Sequence, residues 1–178
     1  DAEGRPTADT TARDASVIAT KAGIDLPRGK TFFIVSEQRI GRAHPFSTEK
    51  LGVVLAIFKY HGWDMALDMV RQIFETGGRG HSCGIYSFDD AHIHDLALAA
   101  PVSRIMVRQV QSSSNAGTFT NGMPMTSSMG CGVWGGNITN ENIALKHYMN
   151  VTWVSPPIAE DPPSEQELFG EFYNSEVF

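Results

Sequence analysis

The sequence has little cysteine, no long apolar run and no excess of positive charge. Two cysteines among 178 residues are too few for a disulfide scaffold. No apolar stretch approaches the roughly 20 residues that a membrane-spanning helix needs, which excludes a membrane partner. Acidic residues outnumber basic ones by 20 to 14, and this balance argues against nucleic acid, whose phosphates require clustered Lys and Arg. The chain opens with neither an initiator Met nor a signal peptide, so we expect a cytoplasmic protein that is part of a longer gene product.

What is present is typical of one globular α/β domain. Apolar residues make up 42% of the chain, enough for a core. Strands are predicted from apolar or β-prone runs at residues 31–35, 53–58, 83–88 and 104–110. The run at 53–58 has no alternation, which favours a strand buried on both faces of a parallel sheet. Helices at 63–76 and after Asp89 separate these strands, and the alternating order predicts a largely parallel sheet flanked by helices.

Local signals set the expected helix ends and faces. A short helix at 12–22 is predicted, capped by Asp9 or Thr10 and ended by Gly23. Asp89 is predicted to cap the helix that Pro101 stops. In the helix at 63–76 the predicted core stripe consists of Met65, Met69, Val70, Ile73 and Phe74.

The remaining chain divides into a loop, a late strand and a tail. Residues 111–136 are rich in Ser and Gly yet contain Phe, Met and Trp, which indicates a packed functional loop. A final strand is predicted to begin at Tyr148 and end at Val154. Residues 156–178 are predicted to be an acidic tail.

Several residues carry possible chemistry, each with a simpler alternative. The Gly-rich loop at 78–84 could hold phosphate, but its spacing favours a tight helix-to-strand connection. His81, Cys83, His92 and His94 could suggest a metal, although the sequence contains no C-x-x-C, and we predict no metal site. Cys131 lies between two glycines, where a thiol could be reactive, whereas Cys83 suits a small core residue. Glu49 could accept hydrogen bonds from a ribose or simply be solvated.

Together these segments resemble the CoA-acylating branch of the aldehyde dehydrogenase superfamily. Residues 129–137, Met-Gly-Cys-Gly-Val-Trp-Gly-Gly-Asn, followed by Asn140-Glu-Asn142 and Lys146-His147, resemble its L-G-C-G-S-W-G-G-N…E-N…K-H motif. Residues 78–82 resemble its G-x-G-H-T/S segment, and 46–55 resemble its P-F…E-K-L-S/G-P stretch. The resemblance runs from about Ala19 to Val154.

The resemblance implies an enzyme that oxidises a short aldehyde to its acyl-CoA. A cysteine thiolate attacks the aldehyde, hydride passes to NAD or NADP, and coenzyme A takes the acyl group from the thioester. In the family that cysteine lies in a G-Q-x-C-x-S segment, and neither Cys83 nor Cys131 has this context. We therefore expect no catalytic residue in this chain, no Rossmann domain and no turnover by the chain alone.

The resemblance also assigns site residues. Glu49 matches the glutamate that holds the nicotinamide ribose, and Leu51 falls where relatives place an aromatic residue near the nicotinamide. The loop at 104–126 resembles that of enzymes acting on sulfoacetaldehyde. Its Arg108 could hold the sulfonate, because guanidinium donors suit anionic oxygens, and Asn121 is a second candidate for the substrate site.

The expected organisation follows from the same resemblance. Residues 1–147 would form the C-terminal part of the catalytic domain. The strand from Tyr148 to Val154, assigned to 148–155 with its flank, would pair with a neighbouring subunit in a homo-oligomer. The alternative is a non-catalytic α/β module of the same fold that serves binding or assembly.

Overall fold

A computed structural model describes residues 5–174 of the chain. The described residues divide into two compact units, with the division between His147 and Tyr148. The larger unit contains four strands: β1 (Phe33–Glu37), β2 (Val54–Phe58), β3 (Cys83–Ile85) and β4 (Ile105–Val107). Its helices are α1 (Ala15–Ala22), α2 (Trp63–Gly77), α3 (Asp90–Ala99) and the single turn α4 (Gln111–Ser114).

The strands form two parallel pairs, which confirms the predicted α/β class. In the first pair, Phe33 of β1 lies opposite Val54 of β2. In the second pair, Cys83 of β3 lies opposite Ile105 of β4. The described strands therefore make two small parallel sheets, where the sequence pattern suggested a single one.

Strand boundaries differ from the predicted ones. The first strand begins two residues later than predicted, at Phe33, and β3 and β4 have three residues each. The predicted burial of both faces of β2 is wrong in the described chain, because Leu55 is 52% exposed and Ile57 45% exposed. An unbroken apolar run reveals that both faces can be covered, but only the tertiary structure shows whether they are.

The core lies where α2 and α3 pack on the second sheet. Leu67, Ile85, Leu96 and Ala100 form its buried centre. The predicted stripe on α2 is partly wrong, since Met65 is 44% exposed. The face of α2 that packs on the core is rotated from the predicted one, and its residues are Trp63, Leu67, Val70 and Phe74. The apolar residues occupy more than half of the circumference of this helix, so the sequence pattern alone does not determine which edge of the apolar face is buried.

Two of the predicted helix ends are confirmed and one is corrected. The Asp89 carboxylate accepts a 2.9 Å hydrogen bond from the Ala91 N–H and caps α3. Gly23 ends α1 in the left-handed conformation. The start of α1 is later than predicted, at Ala15, and Asp9 forms an ion pair with Lys21 instead of capping it.

The second unit has less regular structure. Tyr148 ends a 3-10 helix, Leu145–Tyr148, and the predicted strand that follows has no hydrogen-bonded strand partner within residues 5–174. The acidic tail, whose last four residues lie outside the described part, contains the short helix α5 (Glu165–Phe169). Ser164 and Glu167 form a reciprocal capping box at its start, a Ser-x-x-Glu pattern that is visible in the sequence.

No helix within residues 5–174 is long and apolar enough to cross a bilayer.

Candidate functional site

A groove of about 780 Å³ lies between β2, the end of α2, the Gly-rich loop and α4. Glu49 lines it from the segment after a 3-10 helix, Pro45–Ser47. His81 and Ser82 line the same groove from the Gly-rich loop. The structure thus brings together residues from two of the three motifs that carried the resemblance.

Hydrogen bonds from the Lys50 side chain hold the backbone that precedes Glu49. The Lys50 ammonium donates to the Phe46 carbonyl at 2.8 Å and to the Thr48 carbonyl at 2.6 Å. Burial lowers the pKa of Lys50, while the neighbouring Glu49 carboxylate raises it. The Glu49 side chain is exposed and accepts no hydrogen bond from any described residue. Its carboxylate therefore remains available to a ligand in the groove.

Leu51 has a backbone conformation that is uncommon for a residue with a side chain. Its φ is +45°, and its carbonyl accepts a 2.8 Å hydrogen bond from Ala12 N–H. The side chain is 60% exposed and is not part of the groove lining. The two residues assigned to the cofactor are therefore close in sequence, but only Glu49 lines the groove.

Arg108 and Asn121 lie outside the groove lining. Arg108 follows β4 with a φ of +52°, donates to the Ser87 carbonyl at 2.7 Å and lies 5.0 Å from the centre of the Phe88 ring. The Asn121 amide organises its own loop. It donates to the Ser114 carbonyl at 2.8 Å and accepts from the Thr118 N–H at 3.0 Å.

The Gly-rich loop is the predicted tight connection between α2 and β3. Gly80 has a φ of +105°, and its N–H donates to the Pro101 carbonyl at 2.8 Å. A Cβ on Gly80 would lie 2.7 Å from the Cβ of Cys131. The Gly-rich loop and the Gly-Cys-Gly motif therefore pack directly on each other, a contact that no local sequence pattern predicts.

Arg104 is a buried cation that sequence reasoning missed. It is only 6% exposed and donates to four groups: the side chain of Asn142 and the carbonyls of His81, Gly130 and Asn140. Burial lowers its pKa. Asn142, itself 5% exposed, extends the network by donating to the Asn115 and Pro124 carbonyls. An arginine at the start of an apolar strand was the available clue.

A second missed feature is the cluster of polar side chains around Ser82. Its hydroxyl lies 2.6 Å from His81 Nδ1, 2.5 Å from Gln111 Nε2 and 3.1 Å from Asn115 Nδ2. Gln111 reaches back over β3, and its Cβ lies 3.1 Å from where a Cβ on Gly84 would be. This arrangement places the segment after β4 against the Gly-rich loop.

The two cysteines and His92 occupy ordinary packing sites. Cys83 packs against the core, as predicted, and burial raises the pKa of its thiol to about 11. Cys131 is a half-buried free thiol in the contact with Gly80. His92 stacks on Trp63 with ring centres 4.2 Å apart. Within residues 5–174, no three His, Cys, Asp or Glu side chains are grouped to hold a metal ion.

Comparison with known proteins identifies the class to which this fold and these motifs are related. The solved acetylating aldehyde dehydrogenase from Geobacillus thermoglucosidasius matches with a TM-score of 0.82 and 30% identity, over 90% of this chain and 35% of that one. No protein-family model matches the chain. The chain is thus homologous to part of the acylating aldehyde dehydrogenases, as the motifs predicted.

The curated relatives include sulfoacetaldehyde dehydrogenases, a succinate-semialdehyde dehydrogenase and aldehyde-alcohol dehydrogenases. The Acholeplasma sp. enzyme is 41% identical over 161 residues, which is 90% of this chain and 33% of that protein. The acylating enzyme of Bilophila wadsworthia is 38% identical over 165 residues, which is 93% of this chain and 36% of that protein. The chain therefore spans about a third of the length of these two relatives.

Proposed function

We propose that this chain is part of an NAD(P)-dependent, CoA-acylating aldehyde dehydrogenase and that its aldehyde is sulfoacetaldehyde. The observation that carries the proposal is the 41% identity to a sulfoacetaldehyde dehydrogenase over 161 residues. Two of the three motifs that carry the resemblance, residues 46–55 and 78–82, contribute to one groove. As in the sequence interpretation, the reaction forms a thioester on a cysteine that neither Cys83 nor Cys131 supplies.

In this reaction NAD or NADP accepts the hydride and coenzyme A accepts the acyl group. Glu49 is the residue of this chain that we assign to the nicotinamide cofactor. Its exposed carboxylate lines the groove and can accept hydrogen bonds from two ribose hydroxyls. Leu51 would lie beside the nicotinamide, as the resemblance implies.

Arg108 and Asn121 are the proposed substrate residues. One nitrogen of the exposed Arg108 guanidinium donates to Ser87. Its other N–H groups have no hydrogen-bond partner among the described residues, so they can meet a sulfonate. Asn121 would contribute by holding the loop that carries it.

We also propose that the segment from Tyr148 to Val154 adds a strand to a neighbouring subunit of a homo-oligomer. Its residues Val151, Trp153 and Val154 are each more than 70% exposed. Extended main chain with exposed apolar side chains can pair with a sheet edge. A cytoplasmic location stays a prediction from the sequence.

A segment exchange tests the proposed function. The matching third of the Acholeplasma enzyme is replaced by this chain, and CoA-dependent NAD(P)H formation from sulfoacetaldehyde is measured. We expect turnover by the exchanged enzyme and none by the 178-residue chain alone. A folded exchanged enzyme without turnover would contradict the proposal and favour the binding or assembly module.

Three variants of the exchanged enzyme test the assigned residues. Glu49→Gln should raise KM for NAD(P) about tenfold, the equivalent of one hydrogen bond to a charged group. Glu160→Gln, an exposed carboxylate of the second unit, is the control and should leave KM unchanged.

Arg108→Ala should raise KM for sulfoacetaldehyde far more than for acetaldehyde, and equal effects on both aldehydes would exclude a sulfonate contact.

A further inference from the structure

Three side-chain nitrogens surround the Ser82 hydroxyl, and together they determine the direction in which it donates its proton. A hydroxyl has two acceptor lone pairs and one proton to donate. Gln111 Nε2, at 2.5 Å, and Asn115 Nδ2, at 3.1 Å, are both amide donors and fill the two lone pairs. The Ser82 proton is therefore left to its third neighbour, His81 Nδ1, at 2.6 Å.

The direction of this hydrogen bond, from Ser82 to His81, determines the tautomer of His81. A nitrogen that accepts the Ser82 proton in a hydrogen bond carries no hydrogen of its own, so the neutral ring must carry its hydrogen on Nε2. The Gln111 and Asn115 side chains thereby act on His81 through the Ser82 hydroxyl, to which both of them donate.

The controlling residues are themselves held in place. The stem of Gln111 packs closely on Gly84, where an added Cβ would lie 3.1 Å from the Gln111 Cβ. Asn115 is 5% exposed, and its carbonyl accepts from Asn142 at 3.1 Å. On the other side, Arg104 donates to the His81 carbonyl at 3.0 Å. These contacts hold both ends of the relay, by which we mean the hydrogen bonds that run from the Gln111 and Asn115 amides through Ser82 to His81. A relay held at both ends favours a single direction for its hydrogen bonds.

We propose that Gln111 and Asn115 are positioning residues that fix His81 as a hydrogen-bond donor toward the groove. The catalytic role of this fixed His81 donor rests on the proposed function. His81 and Glu49 line the same groove. A fixed Nε2–H can donate to the carbonyl oxygen of an aldehyde or acyl group bound there, and while it holds that hydrogen it does not serve as a general base through Nε2.

Imidazole ¹⁵N NMR on the 178-residue chain tests the proposal without requiring activity. Spectra are recorded at about pH 8.5, two units above the ordinary imidazole pKa of about 6.5. The wild-type chain should show Nδ1 of His81 with the shift of an unprotonated nitrogen and Nε2 with that of a protonated one. A protonated Nδ1 in the wild-type chain would overturn the proposal.

Gln111→Glu reverses the hydrogen bond without changing the shape of the side chain. A carboxylate only accepts hydrogen bonds, so the Ser82 hydroxyl donates its proton to residue 111 in this variant. The lone pair of Ser82 that the Gln111 amide occupied becomes free and accepts a hydrogen bond from His81 Nδ1. The Nδ1 resonance should then move to the protonated region. An unchanged Nδ1 shift would overturn the proposal.

Gln109→Glu is the matched control. Gln109 lies in the same segment, and its side-chain oxygen accepts from Asn121 at 3.2 Å, a role that a carboxylate can also fill. The His81 shifts should stay unchanged in this variant, and a change as large as that of Gln111→Glu would overturn the proposal.

If Gln111→Glu fails to fold, Gln111→Met removes only the donor. The Nδ1 of His81 should then become partly protonated, and no change would overturn the proposal. Because these shifts are read without turnover, failure of the relay is distinguishable from failure of the exchanged enzyme to oxidise aldehyde.

Discussion

At the scale of single residues, burial and pairing matter more than residue type. Glu49 and Asn121 are both polar residues assigned to a site from sequence. Glu49 has an exposed carboxylate in the groove, whereas Asn121 spends its amide on its own loop. A sequence names the available groups but does not show which of them are already engaged within the fold.

Arg104 is the residue on which we expect the larger unit to depend most. Arg104→Met should lower the free energy of unfolding by about 3 kcal/mol, because it leaves buried carbonyls and Asn142 without their charged donor. Urea denaturation measures this loss. Arg71→Met, at an exposed position of α2, is the control and should change stability by at most about 0.5 kcal/mol. Equal effects of the two substitutions would show that the Arg104 network contributes little.

At the scale of elements, the local signals located most helices and strands of the larger unit. The Asp89 cap, the Gly23 stop and the helix through 63–76 depend on neighbours within a few residues, which explains their success. The strand lengths and the buried face of α2 depend on partners far along the chain. These were the features that the sequence placed wrongly.

The contact between the two glycine motifs can be separated into conformation and packing. Gly78 and Gly80 have nearly equal φ values, +107° and +105°, but only a Cβ on Gly80 would meet other atoms, with Cys131 Cβ at 2.7 Å. Gly78→Ala should therefore cost only backbone strain, about 1–2 kcal/mol. Gly80→Ala should cost more, because the Gly-Cys-Gly loop must also move.

Thermal or urea denaturation of both variants measures this difference. Equal destabilisation by Gly78→Ala and Gly80→Ala would indicate that the two motifs do not depend on each other for their packing.

At the scale of the whole molecule, the proposed assembly into a homo-oligomer can be tested with this chain. If the segment from Tyr148 to Val154 pairs with a sheet edge, Val151→Pro should reduce the oligomeric fraction, since proline cannot donate to the ladder. Val151→Ala keeps the main-chain donor and should retain assembly. Sedimentation velocity reads both variants, and a monomeric wild-type chain or an unaffected Val151→Pro oligomer would contradict the pairing.

The sequence by itself determined the α/β class, the order of the elements and the relation to acylating aldehyde dehydrogenases. These rest on periodicity, caps and motifs that are local in the chain. Only the tertiary structure decided that Glu49, His81 and Ser82 share a groove, that Arg104 joins four segments, and that Gln111 and Asn115 direct the Ser82 hydroxyl. Hydrogen bonds between residues more than 20 positions apart depend on how the chain folds back on itself, and no spacing within a motif encodes their direction.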